Sequence, residues 1–551
     1  MYEALLKSTA EYQKIAESLH TPGPAALFGL PPAGRALLYA ALQKDLDRVL
    51  CIVTPGEAEA TRFAADLNTL GIPAAVFPAR DYVLRSIEGT AREYEYRRLA
   101  VLGELVGGRL RAVAVPAEAL TQFTTPKEDF CANTRTLHAG DTLLRDDLLA
   151  ALFGAGYTRR AQVDGPGQFS VRGDIVDIFA PDQKMPVRME FWGDEIDTLH
   201  TFDLTTQRRE DAIDKFYLSP AREVLFGKPA DAAEQLRAFL AKQRGKKKTA
   251  MADCMAADLD LLDGGAVPVN MDKYLVVRYP HPATVLDYFD DPILVAEEPA
   301  SIREADRATA YRRGEELKSL ILDGVLCAGL DNLYADPSYL WSKTGHYRTI
   351  CAENFARSMP DQPLKDIVNA PAHTLPAWNG EVAGLLEDLK PLCDAGYTVT
   401  LLAGTDRAAA GLARDLRDKG ILVTTDAAAA PAAGLVQVLA GHLSAGCEFP
   451  FAKYALLTGR AFGETSSQKK KRKKAKDALN SLTEITPGDL VVHQNHGIGR
   501  YAGIQRMAVQ GVTKDYLRIE YDKKDVLYVP VTQLDLLSRY TTPGDSENVK
   551  L

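Results

Sequence analysis

Three stretches predict a multidomain chain of mixed α/β and α+β class that ends in a small β-barrel. Residues 26–120 alternate apolar strand-like runs with amphipathic helical ones, which predicts helices layered on a parallel sheet. Residues 168–203 hold three strand-like runs joined by short turns, an antiparallel pattern. Residues 489–531 read as five short strands, and a sheet that small must close or nearly close to bury its apolar face.

Each element has its own signal. In the first region the pattern predicts strands at Ala25–Gly29, Val49–Thr54, Ala74–Phe77 and Arg111–Val115. Helices are predicted at Arg35–Lys44, Glu57–Leu70 and Tyr94–Leu105. After a predicted helix at Leu143–Leu152 come strands at Gln168–Phe179, Val187–Trp192 and Glu195–Asp203. In Val187–Trp192, period-two alternation puts Val187, Met189 and Phe191 on one face and Arg188, Glu190 and Trp192 on the other. Thr284–Ala296 is strand-like. Tyr397–Ala403 reads as a strand leading into a helix at Ala408–Lys419, with Gly420 as its stop. Near the end, Leu517, Ile519 and Tyr521 alternate with Tyr516, Arg518 and Glu520, and Asn495-His496-Gly497 and Asp522-Lys523-Lys524-Asp525 carry turn chemistry.

Composition bounds the function. The 551 residues are 46% hydrophobic and 25% charged, an ordinary globular balance. No run approaches the roughly 20 apolar residues of a membrane span, and the N-terminus shows no secretion signal. The seven cysteines are scattered without a CxxC pair, which fits reduced thiols in a cytoplasm. A net charge of −9 excludes a chain built to coat nucleic acid. The exception is QKKKRKKAKD at 468–477, read as a solvated tether or a weak nucleic-acid contact. A monomer is expected.

LFGLPPAGRALLYAAL (27–42) stands where a strand–loop–helix phosphate site belongs. A working loop, GxxxxGK[ST], cradles phosphates with backbone amides, neutralises them with Lys and holds magnesium with a hydroxyl. Gly29 and Gly34 keep the spacing, but Arg35 replaces the Lys and Ala36 the hydroxyl residue. Pro31 and Pro32 remove two amide donors. Hydrolysis of a nucleotide is not expected here. No GxSxG, HExxH or paired CxxC occurs elsewhere, so no catalytic residue is assigned. His493 and His496 form HxxH, but no Cys or carboxylate cluster completes a metal set, so turn or packing roles are expected and no metal site is assigned. Gly497, Gly499 and Gly503 are read as turn and bulge positions, and Pro530 as an edge position.

The wording of these stretches also carries a resemblance. DLVVHQNHGIGRYAGIQRMAV, from Asp489 onward, resembles the RNA-polymerase-interacting module of the transcription-repair coupling factor family, a Tudor-like barrel shared with CarD proteins. GQFSVRGDIVDIF (167–179) and VRMEFWGDEIDTLHTFD (187–203) resemble domain 2 of the excision-repair protein UvrB. TVLDYFDDPILVAEEP (284–299) resembles UvrB's sequence through its Walker B motif, with Glu297 at the metal-binding Asp position and Glu298 after it. UvrB's long aromatic hairpin has only a shortened counterpart in residues 77–102, so damage probing is not expected.

The resemblance implies a domain series: a degenerate UvrB-like domain 1a (1–120), domain 2 (121–215), domain 1b (216–345), a small α/β domain 3 (346–460), a basic linker (461–485), the polymerase-interacting barrel (486–545) and a tail (546–551). It implies that Arg159, Arg172, Arg188 and Glu190 bind UvrA, with Ser170 standing where UvrB has a further arginine. It implies that Met507, with Arg506 and Arg518, meets the polymerase β subunit, to which a sheet edge of the barrel adds a strand; a barrel-core role for Met507 is the alternative. The family's motor, with its ATP and magnesium and its grip on double-stranded DNA, would follow the barrel and lies outside this chain. The implied function is a transcription-coupled repair adaptor. The alternatives are a UvrB-like damage-verification ATPase and a CarD-like transcription regulator on a helicase-derived scaffold.

Overall fold

The computed structural model describes residues 2–86, 92–355, 363–378, 382–459, 486–493, 497–509, 512–521, 526–530 and 537–539. The expected basic linker, the turns at 494–496 and 522–525 and the C-terminal tail lie outside the described residues.

After two short helices, Tyr2–Lys7 and Ala10–Ser18, the chain lays down β1 (Gly23–Phe28), α1 (Pro32–Leu46), β2 (Leu50–Thr54), α2 (Glu57–Thr69), β3 (Ala74–Val76), α3 (Glu93–Val106) and β4 (Ala112–Pro116). These match the predicted alternation to within a few residues. β1, β2 and β4 are apolar throughout because helices cover both faces of the sheet.

The chain then leaves this sheet. Helix α4 (Arg145–Gly154) packs under six strands: β5 (Thr158–Arg159), β6 (Gln168–Arg172), β7 (Ile175–Phe179), β8 (Val187–Trp192), β9 (Glu195–Phe202) and β10 (Arg209–Ala212). Their spatial order is β10-β9-β8-β7-β6-β5, antiparallel except for the β5–β6 pair. Phe169, Val176, Ile178, Val187, Met189, Phe191, Ile196 and Leu199 form its core with Leu148 and Leu152 of α4. The strands Arg135–His138 and Lys215–Leu218 pair antiparallel at the base of this unit, so the boundary drawn at 215 falls inside a paired strand.

Helices α5 (Pro229–Ala241) and α6 (Gly245–Asp263) follow, and the chain returns to the first sheet with β11 (Ile293–Glu297), α7 (Pro299–Leu322), β12 (Arg348–Glu353) and β13 (Asp366–Asn369). The completed parallel sheet has the order β13-β1-β12-β11-β2-β4-β3. Two expectations change here. Only Ile293–Glu297 of the apolar run 284–296 is strand. Val285–Tyr288 winds into a 3₁₀ turn capped by Thr284, and Asp290-Asp291-Pro292 breaks the run before the strand starts. Also, β12 and β13 fall in the range assigned to the small α/β domain, yet β1 lies between them in the first sheet.

The second α/β unit therefore begins after β13. It comprises β14 (His373–Leu375), α8 (Val382–Asp394), β15 (Thr398–Leu402), α9 (Asp406–Asp418), β16 (Val423–Thr424), β17 (Val436–Leu439), β18 (Gly446–Phe449) and β19 (Tyr454–Thr458), in the order β14-β18-β19-β15-β17-β16. The last sheet is antiparallel, β23-β22-β21-β20-β24, from β20 (Leu490–His493), β21 (Gly497–Val509), β22 (Val512–Glu520), β23 (Val526–Pro530) and β24 (Leu537–Arg539). It buries Val491, Tyr501, Leu517, Ile519, Leu527, Val529 and Leu537, the alternation expected for residues 517–519 included. Among the described residues this sheet has five strands, and the fifth lies beyond the predicted stretch.

Candidate functional site

The strand–loop–helix segment that the sequence pattern compares with a phosphate loop is filled by side chains of the protein itself. Gly29 closes β1 at φ 89°, and Pro31 and Pro32 open α1 without a side-chain cap. Arg35, in the first turn of α1, is fully buried. Its Nε donates to the Leu30 carbonyl at 2.8 Å, its Nη1 to Glu297 Oε2 at 2.5 Å and its Nη2 to Glu298 Oε1 at 2.6 Å. The Tyr39 hydroxyl donates to the other Glu297 oxygen at 2.5 Å, and the Asn354 N–H donates to Glu298 at 3.1 Å. The acidic pair that resembles a metal-binding motif is thus held by a single guanidinium from the first turn of α1. Burial pushes the Glu297 carboxyl up, against the opposing pull of Arg35 and Tyr39, and raises the Tyr39 hydroxyl well above its ordinary range.

The second α/β unit closes the same place. A Cβ on Gly34 would sit 2.9 Å from Cys447 Sγ and 3.4 Å from Phe449 Cζ, both on β18. Ala36 is fully buried and offers no oxygen. Leu443, Cys447, Phe449, Tyr454 and Leu456 share one apolar cluster with Leu37, Leu38 and Leu42 of α1. Ser444 donates twice to Asp66 of α2, at 2.8 and 2.6 Å. Tyr39, Cys447 and Asp66 were not singled out in the sequence, because these contacts span hundreds of residues.

The six-stranded sheet gathers the predicted charged residues on its polar face. Register places Ser170 opposite Asp177 and Asp177 opposite Arg188, with Arg172, Ile175 and Glu190 in the next row. Asp177 is fully buried and holds two arginines. Arg188 reaches it through Nε at 2.7 Å and Nη2 at 3.0 Å, stacks 4.7 Å over the Phe202 ring and donates to the Gln207 carbonyl at 3.2 Å. Arg172 Nη2 reaches the same carboxylate at 2.5 Å while nearly half its side chain stays in solvent. Glu190 is ion-paired with Arg209 and accepts from Thr198 at 3.2 Å. Ser170 is buried, and its hydroxyl has no hydrogen-bond partner among the described residues. Arg159 is exposed on the edge strand β5, in register with core Phe169 rather than with the Ser170 row. Trp192, at the β8–β9 turn, is 82% exposed.

So Arg172, Arg188 and Glu190 come together, Arg159 stands at the edge, and Asp177 and Arg209 complete the network. Asp177 carried a legible signal, a lone carboxylate inside the apolar run IVDIF. A strand that buries an acid must supply its cations.

In the last sheet, Arg506 and Met507 lie on β21 opposite Asp515 and Lys514 of β22; their side chains lie outside the described residues. Arg518 on β22 is partly exposed and pairs with Glu520 at 2.7 Å. Gly503 has φ 114° at a register shift in β21, the expected bulge. Gly499 differs from expectation: a Cβ there would lie 2.4 Å from Ile519 Cγ2, so its role is to make room in the core. His493 is buried, and His496 lies outside the described residues. No cluster of three or more metal-ligating side chains occurs among the described residues. No described helix is long and apolar enough to cross a membrane.

Two segments of the chain match known family models. Residues 136–224 match the UvrB interaction domain, and residues 485–541 match the CarD-like/TRCF RID domain. Almost the whole chain is, further, similar to transcription-repair-coupling factors. That of Bacillus subtilis (strain 168) is 27% identical over 98% of this chain and 47% of its own length. Those of Staphylococcus haemolyticus and Staphylococcus aureus (strain MRSA252) are 26% and 25% identical over 94% of this chain and 45% of theirs. The chain spans about half the length of these factors.

Proposed function

We propose that this chain is the two-ended adaptor portion of a transcription-coupled repair factor, binding UvrA at one end and RNA polymerase at the other. The carrying observation is that one chain holds both a UvrB-type interaction sheet with a preorganised Arg–Asp–Arg face and a CarD-like sheet. On the first face, Asp177 orients Arg172 while leaving part of its guanidinium free for a carboxylate of UvrA, a charge-assisted bond. Arg188 and Glu190 are partly committed within the sheet, so their part is to hold the face in shape as well as to touch the partner. Arg159 would extend the contact to the sheet edge. On the second sheet, an outer strand adds to the polymerase β subunit, with Met507, Arg506 and Arg518 beside it.

The phosphate loop of this chain is a structural joint. Arg35 stands where phosphate and cation would bind, and no hydrolysis of ATP is expected from it. ATP, magnesium and translocation on double-stranded DNA belong to motor domains outside this sequence. The working compartment is the cytoplasm.

The test is capture of purified UvrA and of RNA polymerase by the full chain. Arg172→Ala should weaken UvrA capture by at least tenfold and leave polymerase capture unchanged. Met507→Arg should abolish polymerase capture and leave UvrA capture unchanged. No capture of polymerase by the unaltered chain would sink the second half of the reading.

A further inference from the structure

The corner between α5 and α6 carries a charge pattern that the two recognition faces do not use. From Gln235 to Ala252 the chain has six cations, Arg237, Lys242, Arg244, Lys246, Lys247 and Lys248, and no carboxylate, although its net charge is −9. Arg237 is ion-paired with Asp263. The other five are exposed, and none forms an ion pair among the described residues. Lys242 and Arg244 end α5 and precede α6, while Lys246, Lys247 and Lys248 occupy the first turn of α6. Two elements therefore deliver their cations to one corner.

The arrangement works against the free chain's own stability. The first turn of a helix presents unpaired N–H groups and the positive end of the helix dipole, so it favours acids. α6 has no acidic residue there and no side-chain cap from Arg244. The other side of α6 is fixed, since Met251, Met255 and Leu262 are buried with Leu236 of α5. Lys247 lies against the Gly329 turn with the end of its side chain, its Cε and Nζ both 3.1 Å from an ideal Gly329 Cβ, beside the Met251 methyl at 3.3 Å. Asp331 in that turn accepts the Gly329 N–H at 2.8 Å. Five exposed cations with no ion pair among the described residues favour a polyanion as partner.

We propose that this corner contacts the phosphate backbone of duplex DNA. Phe239, the one aromatic residue from 235 to 252, is packed against the core of α5 and α6, so this stretch offers no stacking platform of the kind single strands require. What remains is cations with helix-terminal N–H groups, the chemistry of sequence-independent backbone contact. The surface is separate from the polar face of the six-stranded sheet and does not depend on the adaptor reading.

The experiment is fluorescence anisotropy of a labelled 30-base-pair duplex titrated with the full chain across a salt series, about 50 to 200 mM. The comparison variants are K246Q/K247Q/K248Q and a second chain with Lys469, Lys470, Lys471, Lys473 and Lys474 changed to Gln. The α6 variant should bind about tenfold more weakly and lose about 2 to 3 from the slope of log K against log salt, at about 0.9 per phosphate contact. Its thermal midpoint should hold or rise, because three cations leave a helix N-terminus; the 469–474 variant should retain most of the binding. Five results would overturn the proposal: no binding by the unaltered chain, unchanged binding by the α6 variant, loss confined to the 469–474 variant, displacement of the duplex by polyglutamate at equal charge, or tighter binding of an RNA duplex of the same length.

Discussion

At the residue scale, Arg35 shows what burial of a charged side chain requires. A buried guanidinium is tolerated only if its donors are used, and here the Leu30 carbonyl and two carboxylates take them. Arg35→Ala leaves Glu297 buried and uncompensated, and should cost about 3–5 kcal/mol in chemical denaturation of the full chain. An Asp306→Asn substitution should act in the opposite direction. Burial pushes the Asp306 carboxyl on α7 up to about 6, with Arg313 only partly offsetting it. An acid whose folded pKa is raised adds stability below its unfolded value of about 4 and loses it as pH rises through about 6. Asp306→Asn should therefore stabilise by about 1–2 kcal/mol at pH 8 and by close to nothing at pH 4; equal effects at both would contradict the assignment. The departure of Arg35, Ala36 and the two prolines from a phosphate-loop pattern was legible, since each removes a named chemical function. The ion-paired cluster at this place was not, because Tyr39 reads as any apolar helix residue until β11 places Glu297 beside it.

At the scale of elements, period and turn chemistry located most strands and helices where local sequence decides them. Val187–Trp192 was found at its bounds because its alternation is strict and Gly193 ends it at φ 63°. Thr284–Ala296 was overextended because an apolar run can wind as well as extend, and the capping of Thr284 decided it. The boundary at 345 failed for another reason: a parallel sheet accepts strands from distant sequence, and β12 and β13 carry no local mark of which sheet they join. The joint between the units makes a test. Gly34→Ala on α1 should press on Cys447 and Phe449 of β18 and cost about 1–3 kcal/mol, as overpacking does. Adding Cys447→Ala should recover much of that loss. If Gly34→Ala alone is silent in thermal unfolding, α1 and β18 are not in fixed contact.

At the scale of the molecule, a buried charge network explains how the inserted six-stranded sheet stays registered to the body that carries it. Glu223, just after the insertion, accepts from Arg98 of α3 at 2.6 Å and lies 3.2 Å from Arg80, which also holds Asp272 at 2.7 Å. Three separate segments thus meet at one fully buried carboxylate. The sheet that carries Asp177 and the last sheet each have their own core. Two faces with no shared residues should be energetically independent, because coupling needs contact or a common network. The chain should therefore bridge: immobilised polymerase should retain UvrA only when the chain is added. Arg172→Ala should remove UvrA from the beads while the chain stays bound, and Met507→Arg should remove both. The double variant should show the product of the two single effects, each measured as a fold-change in Kd. A departure of more than about 0.5 kcal/mol from additivity would mean that one end senses the other, and the two sheets would then have to be treated as one coupled device rather than two grips on a common body.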